Sequence, residues 1–194
     1  MGVSLGLFGG AFDPPHNGHV ALARGALEQL DLERLIVLVV AAPGHKEVDA
    51  DVETRLRLAH AAFDELPGVE VRRDDHARTI DTVRAGDFED AIFLVGADAF
   101  AGFGDWKEPA ELLEHVRLGV ATRPGFTRER LQQVLATLRR PDRVVFFEID
   151  PVDLASREVR RRAAAGEPID ALVPSAVARL VRELQPYRRG VGLH

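Results

Sequence analysis

The chain has 194 residues, 46% of them hydrophobic, which is enough for one compact domain with a substantial core and short for two. A formal net charge of -6 argues against a duplex-binding module, because such modules depend on basic stripes facing phosphates, so nucleic acid is not an expected partner. With no cysteine, disulfides, thiolate metal sites and thiol nucleophiles are excluded.

In chain order, apolar runs of strand length alternate with helical patterns. VSLGLF (3 to 8) opens the series, and Val20, Ala23, Leu27 and Leu30 follow at helical spacing. LIVLVV (35 to 40) is the next strand, followed by a helix marked by Val52, Leu56, Ala59, Phe63 and Leu66. VEV (69 to 71), AIFLV (91 to 95), LGVAT (118 to 122) and RVVFFEI (143 to 149) complete the strands, and residues 107 to 115, 127 to 139 and 174 to 185 read as helices. Most of these strands are too uniformly apolar to have a wet face, and strands buried on both sides require helical crossovers between parallel neighbours. The expected fold is therefore a Rossmann-like α/β architecture: a mainly parallel sheet flanked by helices in a single domain (1 to 194), with a helical part at about 151 to 187 packed on it. Polar stretches 43 to 51 and 73 to 79 read as loops rimming a site. The longest apolar run, LIVLVVAA at 35 to 42, is far below the roughly 20 residues of a spanning helix, so no membrane is expected. MGVSLGLFGG has no basic region before its apolar residues, so no signal peptide is expected, and the expected location is cytoplasmic.

The segment GLFGGAFDPPHNGHVALA, residues 6 to 23, gives up regular structure for a purpose. Gly9 and Gly10 end the first strand and let a ligand approach bare main chain. Asp13, Pro14 and Pro15 make a stiff corner, and Asn17 is the expected cap of a helix starting near Gly18. The free N-H groups and dipole of that helix start favour an anion. His16 and His19, three apart, fall on one side of it, where both can donate to one oxyanion. An isolated H-x-x-H arises often by accident, but here it follows a buried strand, a double glycine and a rigid corner. No G-x-x-x-x-G-K-[ST] occurs, and the first loop is not G-x-G-x-x-G, which disfavours a P-loop NTPase and an ordinary dinucleotide dehydrogenase.

GGAFDPPHNGH resembles the nucleotidyltransferase signature G-G-T/S-F-D-P-x-H-x-G-H, shared by many adenylyl- and cytidylyltransferases. The later segments, in order, resemble the bacterial nicotinate mononucleotide adenylyltransferase family: PGHKEV, RTIDTV, FLVGADAFAGFGDW, VATRPG and LASREVRRRAAAGEPIDALVP, so that the likeness runs from about residue 3 to Tyr187. The resemblance implies AMP transfer from ATP to nicotinate mononucleotide, with Mg²⁺ carried by the ATP phosphates and no dedicated metal ligands in the protein. It also implies roles by position. His16, His19, Lys46 and Arg160 would serve catalysis. Gly9, Gly10, Ala11, Phe12, Gly96, Asp98 and Ser156 would join the two histidines and Arg160 around ATP. Lys46, Thr79, Trp106 and Arg123 would face the acceptor. Phosphate charge would raise the histidines' affinity for protons and favour their doubly donating form.

Two departures bear on substrate: Arg78 stands at the family's tyrosine, and in LASR Ala155 and Arg157 replace a serine and a threonine. They leave open transfer to another phosphorylated acceptor, or an ATP-binding module that has lost transfer. A metal hydrolase built on Asp13, His16 and His19 is a further alternative, since H-x-x-H can hold zinc.

Overall fold

All six apolar runs become strands of one parallel sheet: β1 (Leu5–Gly10), β2 (Arg34–Val40), β3 (Val69–Asp74), β4 (Ile92–Gly96), β5 (Arg117–Thr122) and β6 (Val144–Glu148). The structure, a computed structural model, describes residues 4–44, 47–86, 88–123, 128–152 and 154–188. The helices are α1 (Asn17–Gln29), α2 (Val52–Phe63), α3 (Thr79–Ala85), α4 (Ala97–Ala101), α5 (Pro109–His115), α6 (Arg128–Thr137), α7 (Ser156–Ala165) and α8 (Ser175–Leu184).

The period-2 alternation of strand side chains splits the core in two. On β2, Leu35, Val37 and Val39 enter one cluster with Leu22 and Ala26 of α1, Leu58 and Phe63 of α2, Val159 of α7 and Val177 and Val181 of α8. Ile36 and Leu38 enter the other, with Ile80 of α3, Phe100 of α4, Leu112 of α5 and Leu131 of α6. Helices therefore cover both faces, and the central strands must be apolar throughout.

Strand order is β3-β2-β1-β4-β5-β6, so the chain builds outward from β1 in one direction and then returns to build in the other. The reversal lies between β1 and β4, the place where α/β sheets open a crevice beyond their carboxyl ends. The register shows the opening. β1 stays paired with β2 as far as Gly10 opposite Val39, but it meets β4 only at Gly6 and Leu7. The glycines there have packing reasons too: a Cβ on Gly9 would come 3.1 Å from the Phe93 ring, and one on Gly10 2.9 Å from the Phe12 ring.

Two expectations need correction, and two short helices carry no sequence signal. β3 runs on to Asp74, past the expected loop start at residue 73, because it is an edge strand whose exposed half carries Arg72 and Arg73. α3 and α4 carry no periodic signal, since 7 and 5 residues are too short to repeat a face. The cap of α1 is His16 in an extended conformation, not Asn17. Asn17 is already helical, and its amide and Nδ2 bind the carbonyls of Leu172 and Ala171, tying the helix start to the approach to α8.

Candidate active site

The corner after β1 is anchored from below. Phe12 takes a left-handed backbone (φ 49°), uncommon for a bulky residue, and its ring is buried among Phe8, Phe63 and His19 with centroids 5.2 to 5.6 Å away. The next residue, Asp13, is 2% exposed and has a cis peptide bond to Pro14. Its carboxylate accepts from the amides of Asp49 (2.6 Å) and Ala50 (3.3 Å) and from the Tyr187 hydroxyl (2.9 Å). Burial, followed by the Asp13 charge, pushes the Tyr187 phenol well above its ordinary range. Arg55, 1% exposed on α2, spends its guanidinium on main-chain carbonyls: Ala11 at 2.9 Å, Val40 and Ala41 at 2.7 Å each, and Ala50 at 3.1 Å. One buried cation thus gathers the ends of β1 and β2 and the entry to α2.

On that base the two imidazoles stack, 3.8 Å between centroids and 32° between planes. The His16 amide donates to His19 Nδ1 at 3.1 Å, so that nitrogen is the acceptor and Nε2 carries the proton. His16 is 8% exposed, and its Nδ1 has no hydrogen-bond partner among the described residues. A Cβ on Gly18 would press on that ring at 3.1 Å, which explains the glycine. The protein's own groups favour a single-donor form for each ring, so the doubly donating form would have to come from phosphate charge. Burial pushes His16 down to about 4, and the amide on His19 Nδ1 fixes a single-donor tautomer.

The His16 shift has a consequence for stability. The unfolded chain takes up the proton below the ordinary value of 6.5, the folded chain only near 4, so stability present above pH 6.5 drains away as pH falls from 6.5 to about 4. The slope is at most about 1.4 kcal/mol per pH unit. His16→Asn places a residue favoured at helix caps there and does not titrate, so urea denaturation of the pair between pH 4 and 7 should show the wild type losing stability faster on acidification. Parallel curves would refute it.

The first turn of α7 meets the same corner. Ser156 Oγ donates to the Pro14 carbonyl at 2.9 Å, and Arg160 donates to the Asp13 carbonyl at 2.8 Å and to Asp49 Oδ2 at 2.7 Å. At the carboxyl end of β4, a Cβ on Gly96 would meet open space, and Asp98 in α4 pairs with Arg123 beyond β5 at 3.3 Å. Further along this edge, Lys107 bonds Asp81 at 2.7 Å and so holds Trp106 beside the start of α3, where Thr79 is half-buried. Trp106 packs edge-on against Phe93 (6.3 Å) and tilted on Phe103 (5.4 Å) while staying half-exposed. Arg78 caps α3 with its backbone and exposes its side chain. Lys46 lies outside the described residues.

Arg55, Tyr187 and Asp74 have no part in the sequence-based site, and Asp13 enters it only as a corner residue and a candidate metal ligand, not as a buried anchor. Asp74 is buried and accepts from Thr82 Oγ1 (2.7 Å) and from the His76 amide (3.0 Å), which orders the loop leading to Thr79. An arginine in an otherwise apolar stripe of α2 was the signal available for Arg55; Tyr187 had none. Because the Asp13 carboxylate is occupied by two amides and a hydroxyl, it is not aimed with the histidines at a shared metal, which removes the basis of the hydrolase alternative. Among the described residues no three His, Asp or Glu side chains gather as a metal site, and no helix is long and apolar enough to cross a membrane.

A cytidylyltransferase-like family profile matches residues 7–162. Curated relatives from Symbiobacterium thermophilum and Bordetella avium, each named "Probable nicotinate-nucleotide adenylyltransferase", are 37% and 36% identical, covering 96% and 95% of this chain and 96% and 98% of theirs. The solved structure of Plasmodium falciparum nicotinic acid mononucleotide adenylyltransferase complexed with NaAD superimposes with a TM-score of 0.72 over 96% of this chain and 98% of that one. At 14% identity that likeness speaks to the fold alone.

Proposed function

The chain belongs to the cytidylyltransferase-like family and, within it, to the nicotinate-nucleotide adenylyltransferases; from that premise we propose that it transfers AMP from ATP to nicotinate mononucleotide, forming nicotinic acid adenine dinucleotide and pyrophosphate. The observation that carries this reading is the stacked histidine pair at the crevice where β1 and β4 part.

A phosphate oxygen of the acceptor attacks the α-phosphorus of ATP, a P-O bond forms, and the bond from that phosphorus to the β-bridging oxygen breaks, with pyrophosphate leaving on the electron pair. The nucleophile is already ionised, so no protein base is needed, and the protein's work is alignment and stabilisation of charge. His19 donates from Nε2 to the α-phosphate. His16 supports it from behind as a neutral ring and through its amide. Bare main chain at Gly9 and Gly10, running into Ala11 and Phe12, lets the nucleotide lie close. Ser156 and Arg160 turn from the corner to the β- and γ-phosphates, and Lys46 spans the phosphates of both substrates. Asp98 accepts from a ribose hydroxyl beside Gly96. Thr79 and Trp106 flank the pyridine ring, with Arg123 on the rim. The acids of the motif are committed elsewhere, so Mg²⁺ would be held by phosphate oxygens and water, where it neutralises triphosphate charge. The reading is of a single catalytic domain acting in the cytoplasm on small molecules, with neither nucleic acid nor membrane as a partner.

The exposed Arg78 favours a second reading, transfer to a different phosphorylated acceptor. Pyrophosphate release from ATP, measured against nicotinate mononucleotide, nicotinamide mononucleotide and phosphopantetheine, separates the two. The proposal expects the nicotinate form to be clearly fastest. A faster alternative acceptor would overturn the substrate, and no release with any would overturn transfer itself.

A further inference from the structure

Arg160 already holds an anion. Its Nε donates to Asp49 Oδ2 at 2.7 Å while its Nη1 donates to the Asp13 carbonyl at 2.8 Å, and the Asp49 amide donates to Asp13 Oδ2 at 2.6 Å. Three residues from three segments thereby close a ring.

The two carboxylates in the ring are not equivalent. Asp13 is buried and engaged by Asp49, Ala50 and Tyr187, so it is part of the scaffold. The Asp49 side chain is 56% exposed on a surface loop, and what the scaffold needs from this residue is its amide. The Asp49 carboxylate is thus spare to the fold, yet it occupies the Nε edge of the guanidinium. That edge is part of the planar fork that matches a phosphate. A triphosphate arriving at α7 meets a competitor for Arg160 and a like charge beside it, and both effects weaken binding.

We propose that Asp49 is a resident competitor that sets the affinity for ATP: it holds the Arg160 guanidinium in place while the site is empty and yields the Nε edge to a phosphate oxygen when ATP binds. The proposal rests on the placement of Arg160 on the triphosphate made above.

Asp49→Asn keeps the amide to Asp13 and an acceptor for Nε and removes only the charge. Steady-state pyrophosphate release with ATP and nicotinate mononucleotide should show KM for ATP falling about 3- to 5-fold, the size of an exposed ion pair, with KM for the acceptor unchanged. A merely structural residue would raise KM or lower kcat on substitution. Glu47→Gln makes the same charge change at an exposed position two residues away and should leave KM for ATP where it was. In an Arg160→Gln background, where KM for ATP is raised, adding Asp49→Asn should lower it no further. An unchanged or raised KM in Asp49→Asn, or an equal fall with and without Arg160, overturns the proposal. If Arg160→Gln raises KM and Asp49→Asn does not lower it, the role of Asp49 alone is lost. If Arg160→Gln leaves KM for ATP untouched, the placement of Arg160 falls and the proposal falls with it.

Discussion

His19→Ala is expected to lower kcat about 10²- to 10³-fold, roughly 3 to 4 kcal/mol of transition-state stabilisation, with a much smaller change in KM for ATP. The size follows from the geometry. His19 Nδ1 is held by the His16 amide, its ring is stacked on His16, and Phe8 and Phe12 pack against it with centroids at 6.1 and 5.2 Å. A donor fixed in this way needs no reorganisation when charge builds on the α-phosphate, which is the condition under which one hydrogen bond is worth most. His19→Gln, which can place an N-H near the position of Nε2, should recover part of the loss. Steady-state pyrophosphate release measures both. Near-normal turnover in His19→Ala would show that the stacked pair does not act on the reacting phosphate.

Arg55→Ala is expected to cost about 3 to 5 kcal/mol of folding free energy, a large share of the roughly 5 to 15 kcal/mol that domains possess. The substitution leaves the buried Ala50 carbonyl bond and the partly buried ones to Ala11, Val40 and Ala41 without their shared donor. It also removes the buried positive charge facing Asp13. Burial draws the Arg55 guanidinium below its usual affinity for protons and the Asp13 charge opposes that, so the two residues form a compensating pair. Arg55→Lys should recover little, because an ammonium is a point charge with three donors and cannot span carbonyls from three segments. Urea denaturation is the measurement, with the exposed neighbour Arg57→Ala as the reference expected near zero. A loss below about 1 kcal/mol for Arg55→Ala would mean that the loop ends hold their places without the staple.

Legibility in the sequence followed the range of the interactions involved. β2 is plain because a strand covered by helices on both faces is apolar wherever it is buried, here from Leu35 to Val39. β3 looks short in sequence because it is an edge strand whose second half is largely polar and exposed. The histidine pair was legible as a pair because one helical turn brings residues three apart together. Its protonation was not, because burial depends on what the rest of the chain lays over the ring. Family likeness alone points Arg160 toward phosphates, because its partners in the fold, Asp13 and Asp49, are 147 and 111 residues away in sequence.

The sequence by itself determined the alternation of strands and helices, the glycine-rich corner after the first strand and the face shared by His16 and His19, because periodicity and turn chemistry act over a few residues. The tertiary structure decided the rest: the parting of β1 from β4, the neutral state of His16, the burial of Asp13 under a tyrosine 174 residues downstream and the staple of Arg55. Those features depend on desolvation and on partners that only chain closure brings within bonding distance, and neither leaves a periodic mark for a local pattern to carry.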